Sequence, residues 1–415
     1  MIRSVFVWLH RWVGLAMTFF LVIVGLTGSL LAFNEELERV FAPQIFAKIR
    51  PGVPPLDLAT LAEKAPVIAH AQLAEVARIG PDQAIARYDA ERTPGTRERY
   101  DIGFTQLFLD PWTGEEIARR RRGDLSEGLI NLTPLIYLLH DSFLPILSKN
   151  TGALVLGIVA VFWTLDCFNG FYLTLPVALS GFWRKWKTVW AIKRGGGAYR
   201  LNLDLHRASG LWLWPMLFVF AWSSVMFNMM PLYNWVTPKL FEYHSIIDDM
   251  MQMIARLPKQ DPANLAPNPP PDWRKAQAVG ERLMAEKGAK HGFSVGEPGS
   301  LRYWGKFYSY SIRSSGSSFL EKGAGVMFES NTGEVLQFFD PSHEARGNAI
   351  SNWLAALHTA HVFGLPSKIF VFVIGWVIAM LSVTGVYIWW KKLKARRFRK
   401  RQVASAPPLE ATTAE

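Results

Sequence analysis

Four of the nine histidines in this 415-residue chain recur in matched positions. The runs Leu9-His10-Arg11-Trp12-Val13-Gly14-Leu15 and Leu205-His206-Arg207-Ala208-Ser209-Gly210-Leu211 share the pattern Leu-His-Arg-x-x-Gly-Leu. Leu139-His140 and Leu357-His358 form a second matched set. Two neutral imidazoles presented by opposing helices are a natural axial pair for a haem iron, and a pair so filled suits electron transfer rather than oxygen chemistry. Gly14 and Gly210 each lie four residues after their histidine, on the same helix face. A missing side chain there lets a flat macrocycle approach the backbone. Arg11 and Arg207 are placed to meet propionates through charge-assisted hydrogen bonds. Each residue also has a plainer reading. A histidine at a membrane boundary is commonly an interfacial polar group, a duplicated structural histidine would recur just as well, and a boundary arginine can contact lipid phosphates.

The elements that would position these residues are long apolar runs. Half of the chain is hydrophobic, and runs at about 12–33, 152–176, 210–230 and 369–390 reach the ~20 residues needed to cross a bilayer. The first run is too long for a signal-peptide core and lacks an Ala-x-Ala-like site, so it is expected to be retained. The net charge of +11 is concentrated beside these runs, which argues for membrane topology and against nucleic acid as a partner. Between runs two and three lie Arg184, Lys185, Lys187, Lys193, Arg194, Arg200 and Arg207 against one acid, Asp204; after run four come Lys391, Lys392, Lys394, Arg396, Arg397, Arg399, Lys400 and Arg401. The positive-inside tendency puts both segments and the N-terminus in the cytoplasm. Trp8, Trp12, Trp183, Trp186, Trp190, Trp389 and Trp390 fit an aromatic belt contacting membrane lipids on that side.

The expected organisation is therefore spans in 1–33, 152–176, 210–230 and 369–390, external segments 34–151 and 231–368, a basic cytoplasmic loop 177–209, and a basic tail 391–415 that is disordered from about Gln402. The chain reads as an internal duplication of one unit: helix out, external domain, helix in. Gly170-Phe171-Tyr172-Leu173 and Gly385-Val386-Tyr387-Ile388 close the second span of each unit. Each external segment is expected to hold a helix (about 58–71 and 273–287) followed by strands. Hairpin turns fall at Asp110-Pro111-Trp112-Thr113-Gly114-Glu115 and Ser330-Asn331-Thr332-Gly333-Glu334. A Pro-rich linker covers 258–271.

Taken together, the two His-Arg-x-x-Gly motifs, the Thr-Gly-Glu turns, Leu357-His358-Thr359 and Thr384-Gly385 resemble the PepSY-associated transmembrane family over nearly the whole chain. The resemblance implies an α-helical four-span bundle, built from a duplicated two-helix unit, with two α+β PepSY-like periplasmic domains in the bacterial inner membrane. It also implies an iron-regulated reductase. Such a protein would carry b-type haem, here two, and reduce a ferric siderophore or other Fe(III) chelate on the periplasmic side.

Several residues leave alternatives open. His361 shares a helix face with His358 and stands as the second choice of partner for His140, or as a residue near the substrate. His70, His244, His291 and His343 have no repeat partners and read as surface histidines. Asp166, inside the second span, is a proton relay, a cofactor contact or a hydrogen-bond partner of Asn169 or of a neighbouring helix. Cys167, the sole cysteine, reads as a small buried apolar residue, which leaves no disulfide framework, no Cys-based metal site and no covalent c-type haem. No Gly-x-Gly-x-x-Gly occurs in a dinucleotide-binding context. The electron donor must then be external: quinol, reduced flavin or a separate reductase. Arg119–Arg122 is a candidate attractor for an anionic chelate. Two other classes compete with the reductase: a non-catalytic membrane scaffold or sensor, and a small-molecule permease or transport accessory.

Overall fold

The computed structural model describes residues 2–96, 98–193, 195–245, 270–305, 307–313, 323–330, 332–339 and 345–404, with side chains up to 399. Most of the 258–271 linker, Asn331, His343, Arg194 and everything after 404 lie outside the described residues. In chain order, α1 (Ile2–Leu31) leads through α2 (Asn34–Phe41) and α3 (Leu58–Lys64) to strands β1 (Ala71–Gly80), β2 (Gln83–Ala90), β3 (Gln106–Leu109) and β4 (Glu116–Arg120). Next come α4 (Leu132–Ser142), α5 (Lys149–Thr174), α6 (Phe182–Lys187), α7 (Gly197–Trp212), α8 (Trp214–Asn228) and α9 (Met230–Val236). The rest is α10 (Trp273–His291), β5 (Pro298–Trp304), β6 (Phe307–Ile312), β7 (Gly325–Glu329), β8 (Val335–Phe339), α11 (Arg346–His358) and α12 (Leu365–Ala404).

Among the described residues, three helices are long and apolar enough to cross a membrane: α1, α5 and α12. The expected third span is not one straight helix. It is the pair α7 and α8, bent by 71°. Pro215 opens α8; it has no N–H to offer, and its ring excludes the carbonyl four residues back, so the helix must break there. The bend lets α7 lean on α12 while α8 packs on α5. The stretch 177–209, expected as a loop, is largely helical. The basic tail continues α12 to Ala404, because Lys and Arg are good helix formers and complement the negative C-terminal end of the helix dipole.

The second departure concerns the external segments. They were expected as two domains, but their strands form one antiparallel sheet among the described residues, in the order β4-β3-β2-β1-β5-β6-β7-β8. The seam is β1 against β5, with Glu75 opposite Arg302, Val76 opposite Leu301 and Ala77 opposite Ser300. Alternation along β5 and β6 buries Leu301, Tyr303, Tyr308, Tyr310 and Ile312 on the same face as Val76, Ala84, Ala86, Leu107 and Leu109. Helices α3 and α10 cover that face with Leu58, Leu61, Trp273, Leu283 and Met284, so both halves share one core. Gly280 permits this approach: a Cβ there would meet Tyr310 Cβ at 2.6 Å.

Polar contacts also cross between the halves. The Gln277 side-chain oxygen accepts from the Ala59 N–H at 2.7 Å. Arg274 donates to both Glu63 oxygens and to Thr60, and lies 3.4 Å from Asp57. Asp57 caps α3 by accepting from the Thr60 N–H. Burial raises the Asp57 pKa, but the Thr60 hydrogen bonds and the Arg274 charge prevail and hold it below its ordinary value. A carboxylate lowered in this way stabilises the fold above its unfolded pKa and loses that contribution as pH falls through the lowered value. The α3–α10 contact is therefore expected to hold at neutral pH and to loosen only below the usual carboxylate range. Amide-exchange protection of α3 followed against pH checks this; Asp57→Asn should flatten the acid limb, and an unchanged limb would assign the sensitivity to another group.

Candidate functional site

The structure brings the four repeated histidines together as two pairs. His10 on α1 faces His206 on α7 with ring centres 6.0 Å apart and planes at 63°. His140 on α4 faces His358 on α11 with ring centres 6.1 Å apart and planes at 70°. The pairs sit towards opposite ends of the bundle. His10 lies near the basic end of α1, whereas His140 reaches Thr27, about 25 Å further along α1 at ~1.5 Å per residue.

Every imidazole is fixed through Nδ1 to a helix other than its own. His10 Nδ1 lies 3.0 Å from each oxygen of Asp166 on α5, which also accepts from Asn169 Nδ2 at 3.2 Å. His206 Nδ1 lies 3.0 Å from the Leu381 carbonyl and 3.1 Å from Thr384 Oγ1, both on α12. Thr27 Oγ1 is 3.0 Å from His140 Nδ1, and Ser223 Oγ on α8 is 2.7 Å from His358 Nδ1.

These partners decide the tautomers. A carbonyl or carboxylate only accepts. Thr27 donates its own proton to the Ile23 carbonyl, Thr384 to the Met380 carbonyl and Ser223 to the Phe220 carbonyl. Each hydroxyl therefore accepts from the imidazole. All four rings carry hydrogen on Nδ1, and none of their Nε2 atoms has a hydrogen-bond partner among the described residues. His140 and His358 stand on short helices outside the spans. Burial pushes both down, to about 4 for His140 and about 3 for His358, where the neighbouring His140 adds to the effect. They are neutral at physiological pH, the form that ligates metal.

The basic-end pair opens on a cavity of about 380 Å³ between α1, α5, α7 and α12, within the ~300–1,000 Å³ range of ligand pockets. Four glycines shape it. A Cβ on Gly170 would touch His10 Cε1 at 3.5 Å, and one on Gly385 would touch His206 Cε1 at 3.4 Å, so these two back the rings. A Cβ on Gly14 would meet nothing within 4 Å, and one on Gly210 only Leu381 Cδ2 at 3.9 Å; both border open space in the cavity wall. Arg3, Arg11, Arg207 and Lys392 line the same cavity. Arg207 is partly committed: its Nη2 donates to buried Asp204 at 2.7 Å, and Asp204 also takes Arg200 at 2.8 Å. The Arg207 Nε is buried without a partner, a donor left over for an anion. The sheet-end pair is packed more closely. A Cβ on Gly28 would sit 2.9 Å from His140 Cε1, and Phe220 and Phe227 meet His358 edge-on.

A family model for the PepSY-associated TM region matches residues 7–392. The chain belongs to the PepSY-associated TM family. It is a membrane protein by that membership and by its apolar helices. No curated protein matches the sequence.

For this PepSY-associated TM protein, the other residues singled out in the sequence fall as follows. His361 stands outside the pair, beyond the end of α11, with its N–H donating to the Ala356 carbonyl. Asp166 engages His10 as well as Asn169. Cys167 is buried. The arginine run 119–122 does not form an open cationic patch: Arg119 pairs with Glu116, Arg120 with Glu38 and Arg121 with Asp101, while Arg122 covers the Tyr137 ring. His70 stacks on Tyr100 and lies beside Glu91. Ser223 carried no signal in the sequence, since one serine in an apolar helix marks nothing until a histidine is placed beside it. Gly170 was visible only as a mark of the repeat, and Gly385 as that and as part of the Thr384-Gly385 resemblance.

The glycines should respond differently to substitution. Gly14→Leu extends into the cavity and is expected to leave the melting temperature of the ligand-free protein nearly unchanged. Gly28→Leu must displace the His140 ring and should cost about 1–3 kcal/mol, the usual penalty for overpacking. Thermal unfolding in detergent separates the two, and equal shifts would contradict the asymmetry of the two ends.

Proposed function

We propose that this protein is a di-haem b electron carrier of the bacterial inner membrane that reduces a ferric siderophore or similar Fe(III) chelate outside the cytoplasm. The observation that carries the reading is the facing of His10 with His206 and of His140 with His358 at nearly equal separations, with no hydrogen-bond partner on any of the four Nε2 atoms among the described residues. An iron held by two imidazole nitrogens at about 2 Å each has ring centres roughly 6 Å apart. Among the described residues no three His, Cys, Asp or Glu side chains cluster as a metal site. Each pair thus offers two protein ligands, and a macrocycle brings the remaining donors itself. Gly14 and Gly210 leave the space such a flat group needs, and Arg11 and the unpartnered Nε of Arg207 suit its propionates.

Bound between the pairs, haem b supplies reversible one-electron chemistry. The chain's own residues do the rest. Thr27, Ser223, Asp166, Thr384 and the Leu381 carbonyl hold the rings in the ligating tautomer. The apolar helix faces exclude water. The basic segments set the topology, with both termini in the cytoplasm. A donor oxidised on the cytoplasmic side (quinol, reduced flavin or a separate reductase) is balanced by Fe(III) chelate reduced to Fe(II) on the sheet side. A quinol gives up two electrons and so serves two chelates. Fe(II) is held less tightly by hard oxygen donors, so the chelator releases it intact.

A scaffold would tolerate alanine at all four histidines. A permease needs a polar path, yet Asp166, the charge in the middle of α5, is committed to His10 and Asn169. The deciding experiment is a reduced-minus-oxidised spectrum of the purified protein with haem quantification by the pyridine assay. Two low-spin b haems per chain are expected, falling to one in His10→Ala and one in His140→Ala. A haem-free protein, after expression with haem supplied, would overturn the reading in favour of the scaffold.

A further inference from the structure

The four histidines are alike in tautomer but not in what they donate to. His206 meets a carbonyl and a threonine hydroxyl, His140 a threonine hydroxyl and His358 a serine hydroxyl, all neutral oxygens. His10 alone meets a carboxylate, with both Asp166 oxygens at 3.0 Å. A carboxylate acceptor draws the Nδ1 hydrogen outward and enriches Nε2 in electron density. That strengthens its bond to a bound iron and favours the higher oxidation state. The effect is larger inside a bundle than at a surface, because the low-dielectric surroundings screen the carboxylate poorly.

We propose, resting on the haem reading above, that Asp166 makes the His10–His206 centre the lower-potential of the two, so that the fold itself drives electrons from the basic end to the sheet end. With haem held by both pairs, the internal step would balance: one electron would leave the centre held by His10 and His206 and reduce the centre held by His140 and His358, with no bond made or broken. Asp166 acts through His10 and is a positioning residue.

Other charges compete, and the cations at the basic end oppose this order in part. Arg3, Arg11, Arg207 and Lys392 line the basic-end cavity and pull its potential upward. Arg207 is offset by Asp204, and Arg3 is turned to the Leu173 and Leu175 carbonyls. Propionates of a haem held there would bring negative charge to meet the remainder. At the sheet end, the Asp141 charge also acts on His140, but no hydrogen bond joins the two, and the carboxylate accepts from the Ser142 hydroxyl at 2.7 Å. Only at His10 does a formal negative charge sit in line with the ligand.

The test is a potentiometric titration of the purified, haem-loaded full chain at neutral pH, followed through its visible spectrum. His140→Ala retains the basic-end centre and His10→Ala the sheet-end centre, which assigns each midpoint. The midpoint in His140→Ala should lie below that in His10→Ala. Asp166→Asn should raise the basic-end midpoint by about 59 mV or more, a tenfold change in its reduced-to-oxidised ratio at fixed potential. It should leave the sheet-end midpoint in place, and Asp166→Glu should stay near the unsubstituted value. The reverse order of midpoints, or an Asp166→Asn protein whose basic-end midpoint does not rise, overturns the proposal. Should Asp166→Asn lose its basic-end haem, the order of the two midpoints still decides. A wild-type chain without haem overturns the cofactor reading itself, and is recognised in the pyridine assay before any titration.

Discussion

An imidazole has two nitrogens, and in a bundle without water the hydrogen on one of them must find an acceptor in the protein. Much of the architecture follows from meeting that demand four times. Each histidine donates to a different helix, which links α1 to α5, α7 to α12, α4 to α1 and α11 to α8. These links run between helices far apart in sequence. They fix the rotation of each helix about its axis, because a turn of one residue would carry the histidine off its acceptor. Helices α1 and α12 then pack closely through small residues, where Ser29 Oγ donates to the Phe372 carbonyl at 2.9 Å. The break at Pro215 belongs to the same arrangement. It tilts α7 on to α12 so that His206 reaches the Leu381 carbonyl, while α8 packs on α5 and offers Ser223 to His358.

The two ends of the bundle answer to different requirements. At the basic end the histidines border a void framed by glycine and arginine. At the sheet end Phe220 and Phe227 meet His358 edge-on, and Gly28 presses on His140. One end opens on a cavity lined by glycine and arginine, while the other is packed tightly around its rings. The difference lies in the residues around the histidines, since the histidines themselves and their tautomers are the same at both ends.

Much of the site was legible in the sequence because repetition separates a pattern from chance. Leu-His-Arg-x-x-Gly-Leu written twice points to His10 with His206, and the Leu-His pairs ahead of spans two and four point to His140 with His358. What pattern could not supply were the acceptors. Ser223, Thr27 and Thr384 are ordinary small polar residues of apolar helices, and only the packing of distant segments gives them a donor. Asp166 was conspicuous by its cost in a span, but its partner lies 156 positions away. The bend at Pro215 escaped because hydropathy measures how apolar a segment is and not whether it is straight. The sheet was read as two domains for a related reason. Strands are expected near 100–109, 303–312 and 325–329, but nothing local marks β1 as a strand or says that Val76 will lie beside Leu301.

That seam has a mechanical consequence. Two halves hinged only through their helices could rock against one another, opening first to one side of the membrane and then to the other. Here the β1–β5 ladder and a common core under α3 and α10 brace the halves together like a truss across two posts. Rocking would have to tear backbone hydrogen bonds and split a hydrophobic core, at a cost far beyond thermal energy. A frame of this kind holds distances constant, and constant distance is what the movement of electrons requires and the movement of molecules does not permit.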